Sequence, residues 1–96
     1  MQVAIRKYSG KGAKELFATL EKHAADLQPL MRSVKGFVSY TLARSDSGGF
    51  SVTVCQDKAG IDESVRIAKD WIVKNAANAG AAAPELSVGN VIVHLK

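Results

Sequence analysis

The chain has 96 residues, a net charge of +4 and a single cysteine, with 47% hydrophobic and 23% charged residues. This length predicts one domain, residues 1–96, around one modest core, and the composition is typical of soluble globular proteins. No apolar stretch approaches the ~20 residues that cross a bilayer, so we expect no membrane partner. Charge enters early, at Arg6, unlike in a signal peptide, and a lone cysteine fits a reducing compartment. We therefore expect a cytoplasmic protein.

The positive charge does not form a pattern typical of nucleic-acid binding. Such proteins concentrate lysine and arginine on one face, whereas here they are spread along the whole chain. Acidic residues lie among them, and pairs such as Asp70 with Lys74 have the spacing of neighbours on a solvated helix surface. We expect no nucleic-acid partner.

The first third of the chain predicts a strand followed by a helix. Residues 3–8 alternate as a strand does, and Gly12 precedes a helix with Glu15 in its first turn, where the helix dipole favours an acid. Apolar residues then recur at three- and four-residue spacing and give the helix one apolar face: Leu16, Leu20, Ala24, Leu27 and Met31. Pro29 predicts that this helix ends or kinks at Gln28.

The remaining elements complete a βαββαβ order. Residues 37–44 and 50–56 are two alternating runs joined by a glycine-rich turn, which predicts a hairpin. Asp57 or Asp62 can cap the next helix, whose buried stripe is Ile61, Val65, Ala68 and Ile72. A loop over 75–83 then leads to a last strand over 88–95. With right-handed crossovers this order gives an α+β, ferredoxin-like fold, a four-stranded antiparallel sheet with both helices on one face.

Alternation along the strands divides the sheet into two faces. We expect the helices to cover the more apolar one: Val3, Ile5, Val38, Tyr40, Leu42, Phe50, Val52, Val54, Val91, Val93 and Leu95. The other face mixes small, polar and aromatic residues: Ala4, Arg6, Tyr8, Phe37, Ser39, Thr41, Ala43, Ser51, Thr53, Cys55, Asn90, Ile92 and His94. A face of this mixed kind suits a seam against a second copy of the chain.

Cys55 is the one residue whose type alone suggests a nucleophile. Catalysis would need His94 within hydrogen-bond reach as a base, yet in this strand order the first strand lies between them. A lowered thiol pKa would also be needed, and Arg6 is the only candidate to lower it. We therefore interpret Cys55 as a small residue of the scaffold.

The whole chain resembles the dimeric α+β barrel superfamily, in particular small bacterial proteins related to antibiotic-biosynthesis monooxygenases. The resemblance rests on the element order, on the segments Lys-Gly-Phe-Val-Ser-Tyr (35–40) and Phe-Ser-Val-Thr-Val-Cys-Gln-Asp (50–57), and on Trp71 in the following helix. It implies a homodimer whose two sheets form one barrel. It also implies a pocket between helices and sheet where active members oxidise polycyclic phenols without a cofactor, or degrade haem.

The chain departs from both catalytic patterns of that superfamily. The phenol-oxidising type carries an Asn four residues before its Trp and a Tyr soon after, whereas Ile67 lies four before Trp71 and an alanine-rich stretch follows. The haem-degrading type has a His about ten residues after its Trp, where this chain has Ala81. The catalytic residues are therefore unknown, and we expect binding rather than turnover. Any turnover would resemble that of a cofactor-independent monooxygenase.

A pocket between helix and sheet is the candidate site. It would be lined by four rings and one polar side chain: Phe17, Tyr40, Phe50, Trp71 and Asn75. The alternative is that the rings simply fill the core. No His, Cys, Asp or Glu pair has a metal-binding spacing, and no glycine-rich phosphate loop follows a strand, so we expect neither metal nor cofactor. His23 should lie exposed on the flank of the first helix.

RNA-recognition domains share this element order and are the competing interpretation. They stack bases on aromatic residues of the first and third strands. Here Val52 occupies the second aromatic position and Tyr8 lies at the end of its strand, which argues against RNA binding. Two hypotheses stay open. The protein binds a hydrophobic or aromatic small molecule, or it is a non-catalytic dimer with an interaction or structural role.

Overall fold

The computed structural model describes all residues, Met1–Lys96, and has the expected order with one additional helix. The elements are β1 (Gln2–Ser9), α1 (Ala13–Lys22), α2 (Ala24–Arg32), β2 (Phe37–Ser45), β3 (Gly48–Cys55), α3 (Lys58–Asn75), a 3₁₀ turn (Ala77–Ala79) and β4 (Glu85–Asn90). The four strands form one antiparallel sheet in the order β2-β3-β1-β4, and the helices pack against one face of it. The predicted ferredoxin-like fold is confirmed. No helix is both long and apolar enough to cross a bilayer.

The predicted first helix is divided, but at His23 and not near Pro29. The backbone of His23 leaves helical geometry with φ −107° and ψ 21°, which separates α1 from α2. Pro29 lies inside α2, which continues to Arg32. The hydrogen bond that proline cannot donate would have gone to the carbonyl of Ala25, an exposed residue where water can serve as donor instead. The expectation of two helices is therefore corrected to three.

The third helix begins where its capping residue predicts. The Asp57 side chain accepts a hydrogen bond from the Gly60 backbone N–H at 3.0 Å, so Asp57 is the N-cap. The alternative, Asp62, lies one turn inside the helix and pairs with Lys58 at 3.7 Å. The predicted stripe is confirmed, with Ile61 and Ala68 buried against the rest of the protein.

The last strand lies earlier than predicted, at Glu85–Asn90 instead of 88–95. Its register is fixed by β1, which pairs Lys7 with Glu85 at one end and Gln2 with Asn90 at the other. The final backbone hydrogen bond of this pairing is donated by Val91 N–H to the Met1 carbonyl at 2.9 Å. Residues 91–96 therefore continue as an unpaired tail.

The two faces of the sheet are reversed in β1 and β3 relative to the prediction. The helices cover the small and polar side chains, all 6% exposed or less: Ala4, Arg6, Tyr8, Ser51, Thr53 and Cys55. The alternating residues of the same strands form the face without helices: Val3, Ile5, Lys7, Phe50, Val52 and Val54. We call these two surfaces the covered face and the open face. Small residues are under the helices because α1 approaches closely. A Cβ built on Gly49 would lie 2.3 Å from the Phe17 ring.

Strand β2 keeps its predicted face for the residues that matter to the site. An irregularity in the pairing between Phe37 and Ser39 shifts the register. As a result Tyr40 pairs with Thr53 and Leu42 with Ser51, so both β2 side chains lie on the covered face as expected.

Candidate functional site

The helices and the covered face enclose a small cavity at the centre of the molecule. Its volume is about 20 Å³, and its walls combine side chains from every helix with Tyr40, Leu42, Arg6 and Ser51 of the sheet. Trp71 of α3 closes one side and is 9% exposed. A space of this size holds about one water molecule. In this conformation, the rings and aliphatic side chains therefore fill most of the predicted pocket.

The predicted pocket residues are only partly brought together. Tyr40 and Trp71 line the cavity. Phe17 is buried beside it, in edge contact with Tyr8 at 5.7 Å between ring centroids, and does not reach the cavity. Phe50 lies on the open face, paired with Lys7 and Ala43, because strand alternation places it opposite its neighbours Gly49 and Ser51. Its assignment to this pocket is corrected.

Asn75 also lies outside the cavity. Its side-chain amide donates to the Trp71 carbonyl at 3.0 Å, one turn earlier in α3. This bond satisfies a carbonyl near the C-terminal end of the helix, a common use of Asn at that position. Asn75 thus supports the helix that carries Trp71 and makes no contact with the cavity.

Arg6 is the functional candidate that the sequence analysis missed. It is 6% exposed, and its Nε donates to Ser51 Oγ at 3.2 Å. None of the ion pairs in the structure includes it. The available signal was strand alternation, which places Arg6 on the same face of β1 as Ala4 and Tyr8, both of which are covered. That face was instead expected to pack against a second copy of the chain. A guanidinium stays charged even when buried, so Arg6 brings a fixed positive charge under the helices.

The two tyrosines of the site are protonated at neutral pH. Burial raises the pKa of Tyr40 above its ordinary value, and the nearby Arg6 charge opposes part of that rise. Burial likewise raises the pKa of Tyr8, again opposed by Arg6. Each hydroxyl can donate a hydrogen bond to a ligand, and neither is set up to act as a base.

Cys55 belongs to the packing beneath α3. It is fully buried in a cluster with Ala4, Val34 and Ile61. Burial raises the pKa of its thiol, and the negative charges of Asp57 and Glu63 raise it further. His94 lies beside Val52 and Val54 of the open face, on the other side of the sheet from Cys55. The thiol is therefore structural, as the sequence analysis expected.

Two larger grooves flank the cavity. The first lies between α2 and β2 and has a volume of about 340 Å³. It shares four residues with the cavity: Leu27, Met31, Tyr40 and Leu42. The second lies between α3 and the segment 81–84 and has a volume of about 280 Å³. It shares Arg6, Tyr8 and Ile72 with the cavity. We call them the α2–β2 groove and the α3 groove.

His23 contacts Trp71 but does not line the cavity. Its ring makes an edge contact with Trp71 at 5.8 Å between centroids, and its Nδ1 is 3.4 Å from Asp26. The His23 side chain is 41% exposed, close to the expectation of a flank position. No cluster of three or more His, Cys, Asp or Glu residues has the geometry to hold a metal ion.

Comparison with solved structures identifies the fold. No protein-family model matches the chain, and no curated protein matches its sequence. A protein of unknown function from Nitrosomonas europaea superposes with a TM-score of 0.72 at 18% identity, covering 99% of this chain and 91% of that one. A monooxygenase from the ActVA-Orf6 gene of Streptomyces coelicolor, in complex with nanaomycin D, gives 0.67 at 15% identity, covering 99% and 90%.

A dimeric ferredoxin-like protein from an uncultured marine organism gives a TM-score of 0.65 at 12% identity, covering 99% of this chain and 95% of that one. Identities this low establish the architecture, and they agree with the resemblance that the sequence suggested. The chain has the ferredoxin-like fold of these solved proteins, which include a monooxygenase and a dimeric ferredoxin-like protein.

Proposed function

We propose that this protein is a homodimer that binds an apolar, aromatic small molecule through the α2–β2 groove, with Tyr40 and Trp71 at its inner end. The observation that carries the proposal is that the groove and the central cavity share Leu27, Met31, Tyr40 and Leu42. These side chains border both the groove, about 340 Å³ in volume, and the cavity that Trp71 lines. Methionine is unbranched and adapts its shape readily, so Met31 is the simplest part of this wall to move.

The lining of the groove suits an apolar ligand. Leu27, Met31, Leu42, Phe37 and the ring of Tyr40 form most of its surface. The Tyr40 hydroxyl is protonated at neutral pH, as an ordinary tyrosine is, and burial raises its pKa further, so it supplies one hydrogen-bond donor. Sites for small molecules commonly combine such an apolar lining with a few polar groups that orient the ligand.

The groups around the cavity favour binding over catalysis. Arg6 cannot accept a proton, Tyr40 is protonated at neutral pH, and Ser51 lies beside Arg6 with no histidine lining the cavity. The Streptomyces coelicolor monooxygenase, solved in complex with nanaomycin D, shows that a protein of this fold can hold a ligand. That likeness supports binding in this chain, and it does not extend to a reaction.

The open face supports the second part of the proposal, the homodimer. Ile5 is 40% exposed, and Val3, Phe50 and Val52 are half-buried beside it. The tail adds Ile92, Val93 and Leu95, which are 95%, 71% and 89% exposed. Contiguous exposed apolar residues of this kind mark interaction surfaces. A second copy is the occupant we propose, since a protein with the same fold is dimeric and an open antiparallel sheet can pair with its own copy about a two-fold axis.

Fluorescence of the neutral probe N-phenyl-1-naphthylamine tests the binding proposal. We expect its emission, excited directly at long wavelength, to rise on binding to the wild-type protein. Ala24→Trp places a large side chain in the α2–β2 groove and should abolish the rise. Ala25→Trp, the neighbouring exposed position outside the groove, is the matched control and should leave it unchanged. Equal binding to both variants, or none to the wild type, would contradict the proposal and favour the non-catalytic dimer.

A further inference from the structure

Arg6 lies at the meeting point of two spaces and has unused hydrogen-bonding capacity. Its side chain lines both the central cavity and the α3 groove. The Nε–H donates a hydrogen bond to Ser51 Oγ. The two terminal nitrogens form no ion pair with a carboxylate. No buried nitrogen or oxygen atom is sealed away without a partner. The guanidinium also forms a hydrogen bond with the Tyr40 hydroxyl, and a terminal nitrogen without a protein partner is therefore open to one of these spaces.

A buried cation without a counter-ion needs a physical reason. Removing a charged group from water costs several kcal/mol unless a partner of opposite charge compensates. Ser51 and the tyrosine hydroxyls are neutral, so they compensate only in part. An anion in the adjoining space would supply the missing partner.

The α3 groove has the volume and charge for such an anion. Its two charged lining residues are both cations, Arg6 at the floor and Lys69 at the exposed rim, and no acidic residue lines it. The remaining walls are apolar, from Val65, Ile72 and Val73 of α3 to the alanines and proline of 81–84. Next to this groove, Leu86 of β4 pairs with Arg6 and is 48% exposed.

We propose that the α3 groove binds the carboxylate of a small apolar or aromatic acid, with the Arg6 guanidinium as its anchor. The planar fork of arginine matches the two oxygens of a carboxylate. A monoanion fits better than a phosphate dianion, since only one buried cation is present. The groove, about 280 Å³, lies at the small end of ligand sites, which limits the acid to roughly one or two fused rings.

This site is separate from the one in the proposed function. The α2–β2 groove borders the cavity at residues that include Tyr40, and the α3 groove borders it at residues that include Tyr8. The two grooves have no lining residue in common. Blocking one groove should therefore leave the other open, so the two proposals can fail independently.

Calorimetric titration of the full-length protein at neutral pH with 2-naphthoate and with 2-naphthamide tests the inference. The two probes have nearly the same shape and differ in charge. Because hydrogen bonds to a charged group are stronger than neutral ones, we expect naphthoate to bind about tenfold to a hundredfold more tightly. Arg6→Gln should remove this preference, and Arg6→Lys should restore part of it.

Substitutions in the connection between α3 and β4 test whether naphthoate binds in the α3 groove. Ala83→Trp fills the α3 groove and should abolish naphthoate binding, whereas Ala77→Trp, exposed on the same connection and outside the groove, should not. Ala24→Trp should also leave naphthoate binding intact. Equal affinity for acid and amide, no binding of naphthoate, or loss with Ala24→Trp in place of Ala83→Trp would each overturn the inference. If Arg6→Gln fails to fold, the ratio of the wild-type affinities for naphthoate and naphthamide and the result for Ala83→Trp still test the inference.

Discussion

The covered and open faces of one sheet differ in a way that reverses the usual expectation. Beneath the helices lie alanine, serine, threonine, cysteine and even a buried arginine, while valine, isoleucine and phenylalanine line the open face. Small residues allow α1 and α3 to approach the backbone closely. The larger apolar residues then lie on the open face, which no helix covers. The open face gains from burial only if something further covers it, which is the physical basis for proposing a second copy.

The largest effect should follow from a charge placed on the open face. Val52→Lys puts an ammonium group at the centre of the proposed interface, where its desolvation costs several kcal/mol. We expect the dimer dissociation constant to rise at least ~100-fold in sedimentation equilibrium. Val73→Lys makes the same chemical change at a residue 63% exposed on α3 and should leave association unchanged. A dimer that tolerates Val52→Lys would disprove the assignment of this face.

The second prediction compares one substitution on both faces. Gly49→Ala adds a Cβ 2.3 Å from the Phe17 ring and 2.6 Å from the Ala43 carbonyl oxygen on the covered face. We expect about 1–3 kcal/mol lower free energy of unfolding in urea, as for other overpacked cores. Gly89→Ala on the open face has no atom within 4 Å and should change stability by less than about 0.5 kcal/mol. Equal losses would mean that α1 does not approach the sheet as closely as described.

The smallest effect should appear at alkaline pH and come from the covered face. Both tyrosines of the chain have pKa values raised by burial, so above the ordinary tyrosine pKa of about 10 the unfolded chain loses protons first. Stability is therefore complete below about pH 10 and falls as the pH rises beyond it. Tyr40→Phe should make the urea midpoint less sensitive to pH in this range. An unchanged pH dependence would indicate that the Tyr40 hydroxyl is solvated in the native state.

Much of the fold was accessible from the sequence because its signals are local. Glycine and proline positions, the Asp57 cap and the helical stripe of Ile61 and Ala68 each act within a few residues. Alternation also showed correctly that the sheet has two distinct faces. It could not show which face the helices cover, because side chains alternate with the same period on both faces. The more apolar face was therefore assigned to the core, and that assignment was wrong for β1 and β3.

The reversal of the two faces also caused errors in the predicted site. Of the five predicted pocket residues, Tyr40 and Trp71 line the cavity between helices and sheet. Phe50 was misplaced, because it follows the open face in β3. Arg6 was missed for the same reason, since alternation together with the choice of the more apolar face as the core assigned Arg6 to the face without helices. Its burial depends on Ser51 of β3, a contact between residues 45 positions apart that no local pattern encodes.

The mass of the wild-type particle in solution tests the central claim most directly. Light scattering coupled to size-exclusion chromatography, over a range of protein concentrations, should give twice the 10.2 kDa chain mass. That result is the one expected if the open face is buried between two copies, and Val52→Lys then tests whether this face forms the interface. A particle of 10.2 kDa at every concentration would contradict the account, because Ile5 of the open face and the exposed tail residues Ile92, Val93 and Leu95 would then remain in contact with water.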